Sequence, residues 1–438
     1  MATIVSSDNS VLARTFIQES IKDSVYSGME WIKQIMEKNV LKSKKWSWAE
    51  NKFHMPIETA YNAAVGGRKE GSYVPPGGAG TVIAMKGRLK KWVGISNISW
   101  ELETLQGAGD PWTENIIEKV ESDLRHGFKW RMNCAMIGHK DTVYDDTDLS
   151  AELDVVAACD GASSGAETTI TLEYHDGATA HSGATGNMYL MAGMPCYIGT
   201  ASEIRAKTAD LVTIVSKSDD KKTCVVTPAT TWADGDLISP AADANGYSDA
   251  AIWGLERHIN NAEVEYQELS RATYPQIKSN IYANSGTKRK LTEDMWDVAQ
   301  AGPREYGNGG KVKLVLTSPA MCRVWKNLFR TYTKLDITEP IAAGKVDVQL
   351  GGFTPTEEPM MKPGWIFGID PTRFLHIYAE LFKIVPGPNG SIFREVYPGS
   401  ATDGKEVRMH YFGNLVCPDP RAHFGIGDLL DLASDYAA

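Results

Sequence analysis

The sequence predicts an α+β chain in which long helical and extended blocks follow one another. Three observations lead there. Apolar residues keep helical spacing over 111–137, an extended stretch over 52–106 is interrupted by glycines and prolines, and turn residues recur about every ten positions over 151–250.

The 438 residues allow about three domains at ~150 each. A formal net charge of −10 argues against a surface built to grip nucleic acid, because phosphate contacts need basic groups. Cysteines at 134, 159, 196, 224, 322 and 417 stand apart, with no C-x-x-C pair. Neither a disulfide framework nor a thiolate metal site is expected. No apolar run approaches ~18 residues, so no membrane span is predicted. The first residues lack the basic-then-apolar order of a secretory signal.

Residues 1–51 read as an arm. Over 10–39, Val11, Leu12, Phe16, Ile17, Ile21, Val25, Met29, Ile32, Ile35 and Met36 predict a helix, with Gly28 as a candidate break. It has too few neighbours in sequence to form a core alone, and is expected to dock on its own body or on another chain.

Residues 52–109 form an extended loop. Phe53, Met55 and Ile57 alternate, a tip rich in glycine and proline spans 66–80, and strand texture returns over 81–102. One long β-hairpin over 52–106 is predicted. Isolated two-stranded hairpins are marginal in water, so this one needs a surface to lie on. Over 61–100 it is basic: Arg68, Lys69, Lys86, Arg88, Lys90 and Lys91 stand against Glu70 alone.

At 110–150, Asp110 and Pro111 supply a cap and a first-turn proline. Ile116, Ile117, Val120, Leu124, Phe128, Met132, Ala135 and Met136 then mark one apolar face, and Gly138 offers the stop. A helix over 111–137 would be roughly 40 Å long. Its charges are sorted. Asp110, Glu114, Glu118, Glu121 and Asp123 precede Arg125, Lys129, Arg131 and Lys140, the order the helix dipole favours.

The segment 151–250 carries 14 acids and 5 bases. Strands are predicted at 167–174, 188–191, 211–215, 223–227 and 236–239, suggesting a small inserted β-barrel or sandwich. In the last part, Thr292 caps a helix over 293–301 that Gly302 and Pro303 end, and 311–316 reads as a buried strand. Ser318 and Pro319 start another helix, and strands follow at 365–369, 375–381, 392–397 and 406–416.

Chemistry is sparse. The run at 307–311 has the glycines of a phosphate loop but neither its first glycine nor its Ser/Thr. His175 and His181, near Glu173 and Asp176, lack the spacing that fixes metal ligands. A metal-dependent hydrolase in the insert is the competing reading. No catalytic, cofactor-binding or metal residue is assigned.

Taken in order, the segments resemble a tailed-bacteriophage major capsid protein, with the Hong Kong 97-type (HK97-like) capsid fold. The resemblance covers most of the chain: arm, extended loop and spine helix, then RMNCAMIG at 131–138, similar to the family's spine exit. Gly254-Leu255-Glu256, the turn at Arg271, Tyr274 and Pro275, LTEDMW at 291–296, VLTSPAM at 315–321 and GWIFGID at 364–370 continue it. Collinearity carries the weight, since no single motif is strict.

The resemblance implies a spine helix and peripheral domain over 110–150, a β-rich insertion domain over 151–250, an axial domain over 251–372 and return strands over 373–438. It implies a structural protein, not an enzyme, that self-assembles as hexamer and pentamer capsomers into an icosahedral head around double-stranded DNA. Expected partners are copies of itself, a portal protein, separate scaffolding or decoration proteins, and packaged genomic DNA held without sequence-specific binding. No cofactor and no membrane are expected. The place is the capsid of the virion, after synthesis in the host cytoplasm. An encapsulin-like shell around enzyme cargo is the alternative.

Opposite charge suggests how copies meet. The loop of one subunit is expected to cross the spine of the next, pairing Arg68, Lys69, Lys86, Arg88, Lys90 and Lys91 with Glu114, Glu118, Glu121 and Asp123. Trp92 and Trp100 would supply apolar area. Exposed pairs contribute ~0–1 kcal/mol each, so burial at ~25 cal/mol/Å² would supply most of the attraction and charge the orientation.

Overall fold

The computed structural model describes residues 31–42, 47–49, 52–60, 80–99, 116–138, 155–175, 180–181, 186–206, 208–219, 222–241, 252–259, 261, 265–306, 311–330, 353–387, 394–395 and 404–430.

The arm helix is corrected where it can be seen. Residues before 31 lie outside the described part. Ile32–Gln34 is a single 3-10 turn leading into strand β1 (Met36–Asn39). That strand lies parallel to a later one, with Met36 opposite Leu375. Trp31, Ile32 and Ile35 are buried in the main core. Helical spacing here reflects docking on the body, and sheet pairing decides the backbone.

Strands β2 (Ser47–Ala49), β3 (Lys52–Ala60) and β4 (Thr81–Arg88) form one antiparallel sheet. Phe53 faces Gly87, Met55 faces Met85 and Ile57 faces Ile83. A Cβ at Gly87 would lie 2.3 Å from the Phe53 ring, so the ring fills the space glycine leaves. The hairpin ends at Arg88. Strand β5 (Lys90–Ser99) does not continue it but pairs along 404–413. This corrects the single ribbon over 52–106. The Asn414 side chain donates to the Arg88 carbonyl (2.9 Å) at the break and accepts from the Trp253 amide (2.9 Å).

Helix α1 (Ile116–Gly138) buries Leu124, Phe128, Met132, Ala135 and Met136 as its spacing predicts. Strand β5 crosses it closely. A Cβ at Gly94 would lie 2.4 Å from Phe128 and 3.2 Å from Leu124.

Residues 155–241 form a closed barrel. Its strands are β6 (Ala157–Cys159), β7 (Glu167–His175), β9 (Pro195–Gly199), β10 (Asp210–Lys217), β11 (Thr223–Thr230) and β12 (Leu237–Pro240). Pairing runs β11-β10-β9-β12-β6-β7 and returns from β7 to β11. Closure removes the free edges of the ring itself among the described strands. The short β8 (Ala180–His181) pairs with β7 outside the ring. A six-residue helix α2 (Ala201–Ala206) follows β9. Ile170, Leu172, Ile198, Val212, Ile214, Val226 and Ile238 fill the interior, with Cys159, Cys196 and Cys224 as small apolar filler. The strand expected at 188–191 is instead part of a 3-10 turn, Gly186–Tyr189.

The remainder holds α3 (Leu255–Ile259), the hairpin β13 (Glu265–Tyr266) and β14 (Leu269–Ser270), β15 (Asn280–Tyr282), α4 (Glu293–Tyr306), β16 (Leu314–Thr317) and α5 (Pro319–Arg330). It continues with β17 (Pro355–Glu357), β18 (Ile366–Ile369), β19 (Leu375–Ile384), β20 (Arg394–Glu395), β21 (Gly404–Val416) and β22 (Phe424–Ile426). One sheet runs β15-β22-β18-β16-β17. On one face Trp296 of α4 and Trp325 of α5 pack with Val315, Ile366 and Phe424. Leu314, Leu316, Phe367 and Ile369 join α1 in the main core. The second sheet runs β1-β19-β21-β20, with β5 on β21.

Both predicted caps form. The Met295 amide donates to Thr292 Oγ1 and the Met321 amide to Ser318 Oγ, each at 3.3 Å. Helix α4, however, runs through Gly302 and Pro303 to Tyr306. Ala299, Gln300, Gly302 and Pro303 are buried there, and that packing outweighs the hydrogen bond proline removes.

Candidate assembly surface

The root of the hairpin rests on its own chain. Phe53, Met55 and Met85 are buried with Trp253, Tyr266, Ile277, Ile377 and Val416. The Lys86 amide donates to the Gln267 carbonyl (3.2 Å), and Gln276 Nε2 donates to the Thr59 carbonyl (2.7 Å). Lys52 and Lys86, one from each strand, both pair with the Glu268 carboxylate, Lys86 at 3.4 Å. The surface this ribbon needs is therefore supplied, at its root, by its own chain. Farther out its apolar surface is open, and Val82 is 56% exposed.

The predicted loop residues part company. Arg68, Lys69, Trp100 and, on the spine, Glu114 lie outside the described residues. Glu118, Glu121 and Asp123 fall on α1, with their side chains outside the description. Lys86 is engaged with Glu268, and Arg88 is half-buried at the strand break. Lys90 is 2% exposed, its ammonium 6.0 Å from the Trp253 ring centre, and the Arg257 guanidinium lies 4.9 Å from the same ring. Cations are attracted to an indole face at such distances. Trp92 packs against the main core, with the Arg131 guanidinium of α1 5.5 Å from its ring. Within the single chain Lys90 is thus buried and Trp92 partly so. The reason is the period of two along β5, which turns alternate residues inward.

Lys91 points the other way. It shares the outward face of β5 with Val93 and Ile95, 38% and 49% exposed. Across the ladder stand Phe412, His410 and Arg408 of β21. Burial holds the His410 imidazole below its usual range, helped by Lys91 and by Arg408 and Lys383, while Glu380 opposes them. An apolar strip with a basic rim results. The sequence reading overlooked Val93, Ile95, Arg408 and His410. The alternation over 91–96 was visible, but only pairing with β21 shows which parity faces outward.

A polar joint ties the barrel to the body. The Tyr174 hydroxyl donates to the Glu256 carboxylate (2.6 Å), which also faces Lys362 Nζ at 3.6 Å. The Tyr189 hydroxyl donates to the Met360 carbonyl (2.7 Å). A Cβ at Gly138, at the end of α1, would lie 1.8 Å from that hydroxyl. Burial pushes Glu358 up to about 7, with the Met360 amide opposing the rise.

One buried pair resembles a nucleophile and its base. His423 Nε2 lies 3.2 Å from Cys417 Sγ. The Asp370 amide donates to His423 Nδ1 (3.1 Å), so the proton sits on Nε2 and points at sulfur. That is the wrong tautomer for drawing a proton off a thiol. Burial also pushes the thiol up and the imidazole down to about 3. The pair is packing. Among the described residues no group of His, Cys, Asp and Glu could hold a metal, and no helix is long and apolar enough to cross a membrane.

This arrangement has counterparts among solved structures. The cyanophage A-1(L) capsid asymmetric unit holds a chain matched over 91% of this one and 92% of its own length, at 13% identity and a TM-score of 0.50. The fold is that of a phage capsid protein. The capsid of a native GTA particle matches over 91% and 90% of the two chains, at 10% identity and a TM-score of 0.45. The SrpI encapsulin of Synechococcus elongatus PCC 7942 matches over 91% and 86%, at 7% identity and a TM-score of 0.39. No family model and no curated protein sequence matches the chain.

Proposed function

We propose that this chain is the major capsid protein of a tailed bacteriophage. It is a structural, non-catalytic subunit that assembles with copies of itself, as hexamers and pentamers, into an icosahedral head around double-stranded DNA. The observation that carries the reading is a shared fold spanning nine-tenths of both this chain and the cyanophage capsid chain.

The open strip of Lys91, Val93 and Ile95 is where a neighbouring copy docks. Its basic rim suits an acidic approach, and the first half of a neighbour's spine, with Glu114, Glu118, Glu121 and Asp123, supplies one. Arg68 and Lys69, which lie between β3 and β4 in sequence, and Trp100, which follows β5, belong to the same contact. Burial of the strip supplies the attraction and charge the register. A portal protein, scaffolding or decoration proteins and DNA held without sequence readout complete the set of partners, and the virion capsid is the location. The overall acidity, −10 per chain, keeps an enclosed genome from adhering.

Electron microscopy of the expressed protein tests this. Closed icosahedral shells support the reading, and a protein that stays monomeric at high concentration defeats it. Shells loaded with protein cargo would move the assignment to an encapsulin-like compartment.

A further inference from the structure

Strands β3 and β4 rest on the body, and something must set their direction. Over β3 the chain advances about 26 Å, at ~3.3 Å per residue. A 10° swing at the root would move the far end of that strand by about 5 Å. The buried contacts of Phe53, Met55 and Met85 are non-directional and hold the root without fixing its angle.

The turn beneath the root is directional. Between β13 and β14 the chain reverses through Gln267 and Glu268, both in the left-handed region at φ 50° and 63°. Two consecutive non-glycine residues there are costly and persist only where the surroundings dictate them. This turn aims the Glu268 carboxylate at the ribbon, where one oxygen takes Lys52 of β3 and the other Lys86 of β4. The Gln267 carbonyl accepts from the Lys86 amide. The Glu268 and Lys52 side chains are 19% and 14% exposed, which shields that pair from solvent, while Lys86 is 36% exposed. A second tie, from Gln276 to the Thr59 carbonyl, holds the other end of the same strand. One carboxylate bridging both strands resists rocking in a way a single pair would not.

We propose that Glu268 is the positioning residue of the hairpin: by clamping Lys52 and Lys86 it fixes the angle at which the ribbon reaches a neighbouring copy, and so the curvature of the assembly. The second half of this statement rests on the capsid reading, while the first does not.

Hydrogen exchange on the unassembled subunit reads the clamp directly, and particle diameter by electron microscopy reads its consequence. Glu268→Gln keeps shape and removes charge. It is expected to speed exchange at least tenfold across 52–60 and 81–88, leave α1 and the barrel unchanged, and broaden the diameters of assembled particles. Lys52→Gln with Lys86→Gln, leaving Glu268 in place, is expected to do the same. The swap K52E/K86E/E268K restores opposite charges, and should return both readouts towards wild type. Unchanged exchange in Glu268→Gln overturns the clamp, as does loosening spread over the whole chain. Faster exchange at the root with diameters unaltered overturns the curvature half. A wild-type protein that forms no particles counts against the capsid reading and leaves the exchange result standing.

Discussion

Glu358 offers a stability measurement whose sign and size follow from its surroundings. It is 6% exposed between the barrel and the body, and desolvation raises it from 4.5 to about 7. A carboxyl that ionises less readily when folded holds more protons in the native state than in the unfolded one. Stability is then full below about 4.5 and falls as pH rises towards about 7, above which the loss is complete. At 1.36 kcal/mol per unit, the displacement corresponds to about 3 kcal/mol. Glu358→Gln keeps the shape and cannot ionise, so it should be stabilising above pH 7 by up to that amount and nearly neutral at pH 4.5. Unfolding entropy near ~2.1 cal/mol/K per residue makes about 3 kcal/mol a shift of roughly 3 °C for a chain of 438 residues. Scanning calorimetry of both proteins at several pH values between 4.5 and 8 is the assay. Wild type should lose ground against the variant as pH rises, and parallel profiles would refute the argument.

Adjacent lysines should behave oppositely. Lys90→Glu, which puts an acid in a buried site beside Trp253, is expected to leave little folded protein by circular dichroism, whereas Lys91→Glu on the outer face should change subunit stability by less than about 0.5 kcal/mol yet hinder assembly seen by electron microscopy. Gly138→Ala should be destabilising by about 1–3 kcal/mol in thermal melts through collision with the Tyr189 hydroxyl, and combining it with Tyr189→Phe should recover part of the loss, giving a non-additive double-mutant cycle.

Much of the chain was legible wherever local chemistry and tertiary packing agree. The spine face from Leu124 to Met136, the caps at Thr292 and Ser318, and the buried strand before Thr317 could each be read from neighbouring residues alone. Errors gathered where the two conflict. Ile32, Ile35 and Met36 have helical spacing but lie along a core and a sheet edge. Pro303 signals an end, yet packing carries α4 past it.

The candidate surface was legible as composition and not as geometry. A basic, tryptophan-containing loop and an acidic helix start are properties of the polymer, set by residue order whatever the fold. Which of those groups face a neighbour is set by partners more than three hundred positions away. β21 takes up β5, and its Asn414 holds the Arg88 carbonyl. Pairing then turns Lys90 and Trp92 inward and Lys91 outward. A strand's period of two is written in the chain, but its phase depends on the surface it meets, and only the folded structure supplies that surface.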